Sequence, residues 1–104
     1  MPADPLKAFE ELDPELLELV RKNAEVAMAD GALPRKVKFL IAMALDAAHG
    51  AVGGVRALAQ AAMRAGATKQ EIAEALRVAQ YVSGAGSVYT AAHALEGLFE
   101  AGQA

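Results

Sequence analysis

The chain has 104 residues, which is the size of one domain with a single hydrophobic core, so we treat residues 1–104 as one domain. A net charge of −3 argues against a nucleic-acid-binding protein, and the absence of cysteine excludes disulfides, thiolate metal sites and thiol redox chemistry. The hydrophobic share of 55% is high for a soluble domain, and a monomer rarely leaves a large apolar patch in water. Composition therefore predicts self-association.

No uncharged apolar run approaches the roughly 18 residues that a membrane span requires, because Lys36, Lys38 and Asp46 interrupt the longest candidate. The first residues show no basic region followed by an apolar one, as a signal peptide would. We therefore expect a cytoplasmic protein that does not bind membranes.

The first part of the chain, residues 4–30, predicts two helices. Asp4-Pro5 is a helix start and leads to Leu12, and Asp13-Pro14 repeats the same signal. The second helix is expected to end at Asp30-Gly31, where glycine can adopt the left-handed conformation. Its predicted buried stripe has helical spacing and consists of Leu16, Leu17, Val20, Ala24 and Ala27.

The next segment, from Pro34 to His49, leaves almost no polar face and is the predicted central helix. Three glycines follow it, at positions 50, 53 and 54. Because glycine weakens a helix by up to about 1 kcal/mol relative to alanine, we interpret this cluster as a bend or a close approach of two backbones. Another helix is expected from Val55 to Ala65, ended by Gly66.

The last third of the chain begins with a capping box, Thr68-Lys-Gln-Glu71, which starts a helix that runs to about Val82. A small-residue break at 83–86 separates it from a final helix, predicted from Ser87 to about Ala101. No segment shows the period-two alternation of a strand, so the pattern predicts an all-α protein.

Two motifs resemble the carboxymuconolactone decarboxylase family, which includes alkylhydroperoxidase D. The first is Leu33-Pro-x-Lys-x-Lys-x-Leu-Ile-Ala-x-Ala, and the second and more specific one is Ala65-Gly-Ala-Thr-x-x-Glu-Ile-x-Glu-Ala-Leu76. The small-residue turn before Val88-Tyr89 adds to the likeness, so the family-like core covers about 33–101. The resemblance implies an alkylhydroperoxidase D-like bundle of about five to six helices around an antiparallel helical hairpin, assembled as a homotrimer or a homohexamer.

The peroxidase branch of that family carries Cys-x-x-Cys-x-x-x-His, and the corresponding positions here are Ala51, Gly54 and Leu58, with an upstream glutamate position near Phe39. A thiol peroxidase needs one thiolate to attack peroxide and a second thiol to resolve the sulfenic acid. This chain has neither, and the decarboxylase branch's histidine falls at Leu58 too. The resemblance thus implies a cavity near the helix joint and between protomers, drier and more apolar than in relatives that keep those residues.

Other side chains offer polar groups near this joint and the second glycine-rich turn. His49 is a candidate acid or base assisted by Asp46, three residues earlier on the same helix face; the alternative is a histidine that caps the helix end. Candidate ligand-binding residues, together with the three motif positions, are Tyr81, Ser83, Tyr89 and His93. These polar residues have an alternative role as partners of buried backbone groups or of an interface.

With two histidines and no cysteine, the sequence predicts no metal site and implies no cofactor. Three functions stay open. The first is an oligomer that binds a small apolar or carboxylated molecule without redox chemistry. The second is a non-redox decarboxylase or isomerase that uses His49 or His93. The third is a structural or partner-binding oligomer without a ligand.

Overall fold

The structure, a computed structural model, describes residues 4–99, and within them it is all-helical, as predicted. A 3-10 turn, Pro5–Ala8, leads directly into the short helix α1. The described α-helices are α1 (Phe9–Leu12), α2 (Pro14–Met28), α3 (Arg35–His49), α4 (Val52–Arg64), α5 (Lys69–Ser83) and α6 (Gly86–Leu95). No helix in this range has both the length and the hydropathy needed to cross a bilayer.

Helices α3 and α4 form the central hairpin, and α5 and α6 pack against it. Gly50 closes α3 with φ of 79°, in the left-handed region that favours glycine, and its amide donates back to the end of the helix. Met43, Val55 and Ile72, from three different helices, are the largest fully buried side chains. The core also includes Ala47, Ala59, Ala91, Ala94 and Leu98. Its many alanines let the helix axes approach closely.

The starts of α3 and α5 are tied to each other by polar contacts. The Thr68 hydroxyl accepts from the Glu71 amide at 3.1 Å, and the Glu71 carboxylate accepts from the Thr68 amide at 2.9 Å, which confirms the predicted capping box. The second Glu71 oxygen accepts from the Lys36 ammonium at 3.0 Å. The Thr68 amide first, and then the Lys36 ammonium, lower the pKa of Glu71 below its ordinary value of 4.5.

Several predicted boundaries differ from the structure. Helix α4 begins at Val52, so Gly53 and Gly54 lie inside its first turn, and Gly50 alone of the three glycines makes the bend in this described segment. Helix α2 ends at Met28. Gly31 is not in the left-handed region, so the glycine end predicted there is wrong.

The last helix also ends earlier than its apolar pattern indicated. Helix α6 stops at Leu95, and Gly97 follows with φ of 78°. The Arg56 guanidinium of α4 donates from Nη1 to the carbonyl oxygens of Ala94 and Glu96, both at 2.9 Å. These bonds satisfy carbonyls that the shortened helix leaves without an internal partner. The predicted end at Ala101 lies outside the described residues.

Helix α2 differs from the other long helices in its burial. Of the stripe predicted to be buried, Leu17 is buried at 6% exposure, whereas Leu16 and Val20 are exposed at 43% and 40%. Ala24 and Ala27 are exposed as well. The amphipathic pattern identified the helix correctly but not a partner for its apolar side. Within the described residues, the packed bundle is therefore built mainly from α3 to α6.

Candidate functional site

An apolar groove of about 370 Å³ runs between α3 and α5, and we call it the α3–α5 groove. Both helices start at the end where Lys36 meets Glu71, so they run in the same direction along its walls. Ser83 is the last residue of α5 and brings a hydroxyl to the opposite end. The lining is Val37, Leu40, Ile41, Ala44, Leu45, Ala48, Ala75, Val78, Ala79, Val82 and Ser83.

The groove has a small-residue floor and larger aliphatic rims. Ala44 and Ala75 are half-buried and Ala79 is buried, so their small side chains leave space between the helices. The α5 rim consists of Val78 and Val82, which are exposed at 62% and 74%. Ile41 and Leu45 form the α3 rim and are also exposed. Among the described residues, no charged side chain lines this groove, so it suits an apolar occupant.

The α5–α6 turn fixes the Ser83 end of the groove. Gly84 has φ of 91°, and the buried Ser87 hydroxyl donates to its carbonyl oxygen at 2.8 Å. The Ser87 amide donates to the same oxygen at 3.2 Å. Two hydrogen bonds to one carbonyl hold the turn, and with it the end of α5.

At the α3–α4 joint, near which the resemblance implied a cavity, the Asp46 side chain lies close to Gly54. A β-carbon built on Gly54 would lie 2.9 Å from the carboxyl carbon of Asp46, closer than real β-carbons approach such an atom. The Asp46 carboxyl group thus lies over the Gly54 backbone, in the space a side chain at position 54 would need. The close neighbour of Gly54 is thus a side chain, whereas the sequence analysis inferred a bend or a close approach of two backbones for the glycine cluster.

The three positions of the missing peroxidase motif all lie on or next to α4. Ala51 precedes its first turn, and Gly54 is covered by Asp46. Leu58 is partly buried and packs against the core cluster rather than lining the α3–α5 groove. Where the peroxidase branch has its histidine, this chain therefore has a packed aliphatic side chain.

The candidate acid–base residues lie outside the groove. His49 ends α3 and is exposed, and Asp46 is half-buried against α4. Within residues 4–99, no hydrogen bond or ion pair joins these two side chains, nor does one join Tyr89 to His93 on α6. The structure therefore does not bring the sequence-predicted polar residues together around one cavity.

The tyrosines and the remaining candidates are distributed around the second turn. Tyr81 and Tyr89 are exposed at 86% and 70%, and His93 is exposed on α6. Of all the predicted site residues, Ser83 is the one that lines the groove in the described part of the chain. In the same part, no group of three or more histidine, aspartate or glutamate side chains could hold a metal ion.

Sequence reasoning missed the groove-lining aliphatic residues of α3 and α5. A signal was present, because α3 is apolar on more of its circumference than one packing partner needs. Val78 was a second signal, since this apolar residue lies outside the buried side of α5 that Ile72 and Ala79 form. Neither signal identifies its counterpart, because the sequence does not state which helices are neighbours.

Comparisons with known proteins agree with this architecture. The model of the carboxymuconolactone decarboxylase family matches residues 14–97. A crystal structure of a carboxymuconolactone decarboxylase family protein from Legionella pneumophila, in its apo form, is 38% identical to this chain. The likeness covers 95% of this chain and 88% of the other, with a TM-score of 0.83. No curated protein matches the chain.

The family match includes α2 as well as the hairpin and the two helices packed on it. It confirms the resemblance drawn from the Leu33-Pro and Ala65-Gly motifs. The chain also lacks cysteine altogether, so family membership here comes without the thiols of the peroxidase branch. This protein belongs to the carboxymuconolactone decarboxylase family.

Proposed function

We propose that this family member binds a small apolar molecule in the α3–α5 groove and has no thiol peroxidase activity. The observation that carries the proposal is the groove itself, about 370 Å³ in volume and lined by aliphatic side chains with one hydroxyl at its end. This volume lies in the lower part of the range of about 300–1,000 Å³ that is usual for ligand sites. The absence of cysteine supports the lack of a thiol reaction.

The lining restricts the chemistry of the ligand. Burying a charged group against aliphatic side chains is costly unless the charge is paired, and no charged partner lines the groove within residues 4–99. Ser83 can donate or accept one hydrogen bond. The groove therefore favours a neutral, elongated apolar molecule with a polar group at one end, rather than a carboxylate.

The acid–base alternative has less support from the geometry. A catalytic acid or base must reach the bound molecule within hydrogen-bond distance, directly or through one water. His49 and His93 are exposed, and neither lines the groove. The proposed function is therefore binding, and no reaction is assigned to it.

The proposed form of the protein is a cytoplasmic homo-oligomer, either a trimer or a hexamer. Exposed leucines, isoleucine and valines on α2, α3 and α5 support it, since a monomer would leave these side chains in water. Native mass spectrometry of untreated protein measures both the number of subunits and any retained ligand. A monomer would contradict the proposed assembly.

The binding site is tested with N-phenyl-1-naphthylamine, a neutral fluorophore whose emission rises in an apolar site. Ala44→Phe places a large side chain in the groove, and we expect it to weaken probe binding at least tenfold. Ala73→Phe adds the same group to an exposed position of α5 that does not line the groove, and it should bind the probe like the natural chain. Circular dichroism confirms that both variants fold.

Equal loss of binding in both variants, or no saturable binding in the natural chain, would contradict the proposed site. Peroxide consumption with a thiol reductant is measured on the same preparations. Turnover by the pure protein would contradict the proposed lack of thiol peroxidase activity.

A further inference from the structure

Helix α2 carries large apolar side chains, with Asn23 among them, on a side that its own protein core does not cover. We call this surface the α2 stripe, and it consists of Leu16, Leu19, Val20 and Val26. Leu19 and Val26 are exposed at 62% and 73%. At 3.6 residues per turn, the centre of the stripe lies about a third of a turn from the buried Leu17. The side of α2 that packs in the same chain is therefore not its more apolar side.

The chain also exposes more surface than a monomer of its mass. A monomeric protein of 10.8 kDa has an accessible surface of about 5,500 Å², whereas this chain has 7246 Å². The surplus of about 1,700 Å² is within the area that each subunit hides in a permanent oligomer, which is roughly 1,000–2,500 Å². The single chain thus leaves enough surface exposed for a permanent interface with another copy.

The α2 stripe and the open side of the α3–α5 groove match in length and in chemistry. The stripe extends over eleven residues, from 16 to 26, or about 15 Å of helix. The α3 wall extends over twelve residues, from 37 to 48, or about 16 Å. Both surfaces are mainly aliphatic, with Asn23 as the polar residue inside the stripe, and both are exposed in the single chain.

We propose that α2 of a second copy of this chain lies along the open side of the α3–α5 groove and closes the ligand site. The inference rests on the proposed function for the ligand, but the contact between α2 and the groove is tested separately from it. The stripe would pack on the exposed rim residues Ile41, Leu45, Val78 and Val82. A groove open to water in one chain becomes an enclosed apolar cavity in the assembly, so the site is incomplete without the second copy.

Cross-linking tests the contact directly, because the natural chain contains no cysteine that could react. Leu19→Cys and Val78→Cys are co-expressed as full-length chains with tags of different mass, and a short bis-maleimide is added. We expect a cross-linked heterodimer on a denaturing gel. Glu18→Cys replaces Leu19→Cys in the control, because Glu18 lies at the same level of α2 but about 135° around the helix from the centre of the stripe, and its heterodimer yield should be at least fivefold lower.

Equal yields from Leu19→Cys and Glu18→Cys would overturn the proposal. It would also be overturned if the double variant L19C/V78C cross-linked within one chain while the mixed single variants did not, because α2 would then close its own groove. Neither readout requires a ligand.

A second experiment connects the contact to binding. Leu19→Glu places a charge in the stripe, whereas Lys22→Gln changes the net charge by the same amount on the polar side. We expect Leu19→Glu to reduce the subunit number in native mass spectrometry and to weaken N-phenyl-1-naphthylamine binding at least tenfold, and Lys22→Gln to do neither. Unchanged assembly and binding in Leu19→Glu would contradict the inference. Heterodimer cross-links without probe binding in the natural chain would contradict the proposed function alone.

Discussion

Helices α2 and α3 both have 15 residues, yet they have opposite relations to the protein interior. Helix α3 contributes Met43 and Ala47 to the core and its other side to the groove, whereas Leu17 is the one buried residue of α2 within the described chain. Both carry apolar residues at helical spacing. The difference teaches that an amphipathic pattern predicts a face to be covered but not the chain that covers it.

The largest expected effect is the loss of stability when a large side chain is shortened to alanine, and it should differ between these two helices. Met43→Ala leaves a cavity in the core and should lower the free energy of unfolding by about 2–5 kcal/mol at every protein concentration. Leu19→Ala removes an exposed side chain and should cost at most about 0.5 kcal/mol in dilute protein. Urea unfolding at several protein concentrations measures both.

If α2 packs on a second copy, the loss in Leu19→Ala should grow as protein concentration rises, because unfolding is then coupled to dissociation. A large loss that does not depend on concentration would mean that α2 is part of the monomer's cooperative core. The contrast between the two helices would then be incorrect.

The α3–α4 joint provides a second contrast, between adjacent glycines. Gly54→Ala brings a β-carbon against the Asp46 carboxyl group and should cost about 1–3 kcal/mol. A β-carbon on Gly53 meets no atom within 4 Å, so Gly53→Ala should stabilise α4 by about 0.5–1 kcal/mol. Thermal and urea unfolding measure whether each variant is less or more stable than the natural chain.

The double variant D46A/G54A identifies the cause. Removing the Asp46 carboxyl group should allow the alanine at position 54 and recover most of the lost stability, as a double-mutant cycle would show. Additive losses would mean that another contact, and not Asp46, requires glycine there.

Helix caps should show the same regional difference on a smaller scale. The Thr68 hydroxyl caps α5 inside the packed bundle, so Thr68→Ala should lower the global unfolding free energy by about 1 kcal/mol. Asp13 caps α2 in the same way, accepting from the Leu16 amide at 3.0 Å. Because α2 has few contacts with the core, Asp13→Ala should increase hydrogen exchange in α2 while changing global unfolding by less than about 0.5 kcal/mol. Equal losses of global unfolding free energy in Thr68→Ala and Asp13→Ala would show that α2 unfolds together with the bundle, contrary to this prediction.

A smaller effect is expected on the free energy of unfolding at acidic pH. The pKa of Glu71 is lowered in the folded protein, so its contribution is fully present above 4.5 and is lost as pH falls through the folded-state value. Glu71→Gln should therefore make stability less dependent on pH below 4.5. Urea unfolding between neutral and acidic pH measures this slope, and an unchanged slope would rule out Glu71 as a contributor.

An exposed ion pair of the N-terminal part supplies the comparison for Glu71 at neutral pH. Asp4 accepts from Arg21 at 2.9 Å, and both side chains are half exposed. Asp4→Asn should change the unfolding free energy by at most about 1 kcal/mol at pH 7, because exposed pairs contribute little. A larger loss would show that the two N-terminal helices depend on this pair.

The sequence by itself determined the helices, the capping box and the family, because these depend on local signals. Helical spacing, Asp-Pro starts and the Thr68–Glu71 box act within a few residues of the chain. It also identified the glycine cluster as a bend, which Gly50 makes at the end of α3. The family motifs then implied the bundle that the structure shows.

Tertiary structure decided which apolar residues meet and which remain exposed. Parallel packing of α3 and α5 created the groove from residues about 40 positions apart, and it put Ser83 at its end while leaving His49 outside. Helical periodicity gives the direction of a side chain around its own helix axis. It does not identify the helix, or the chain, that packs against that side. For that reason the pattern predicted Leu16 and Val20 to lie in the core of their own chain, where the structure leaves them exposed.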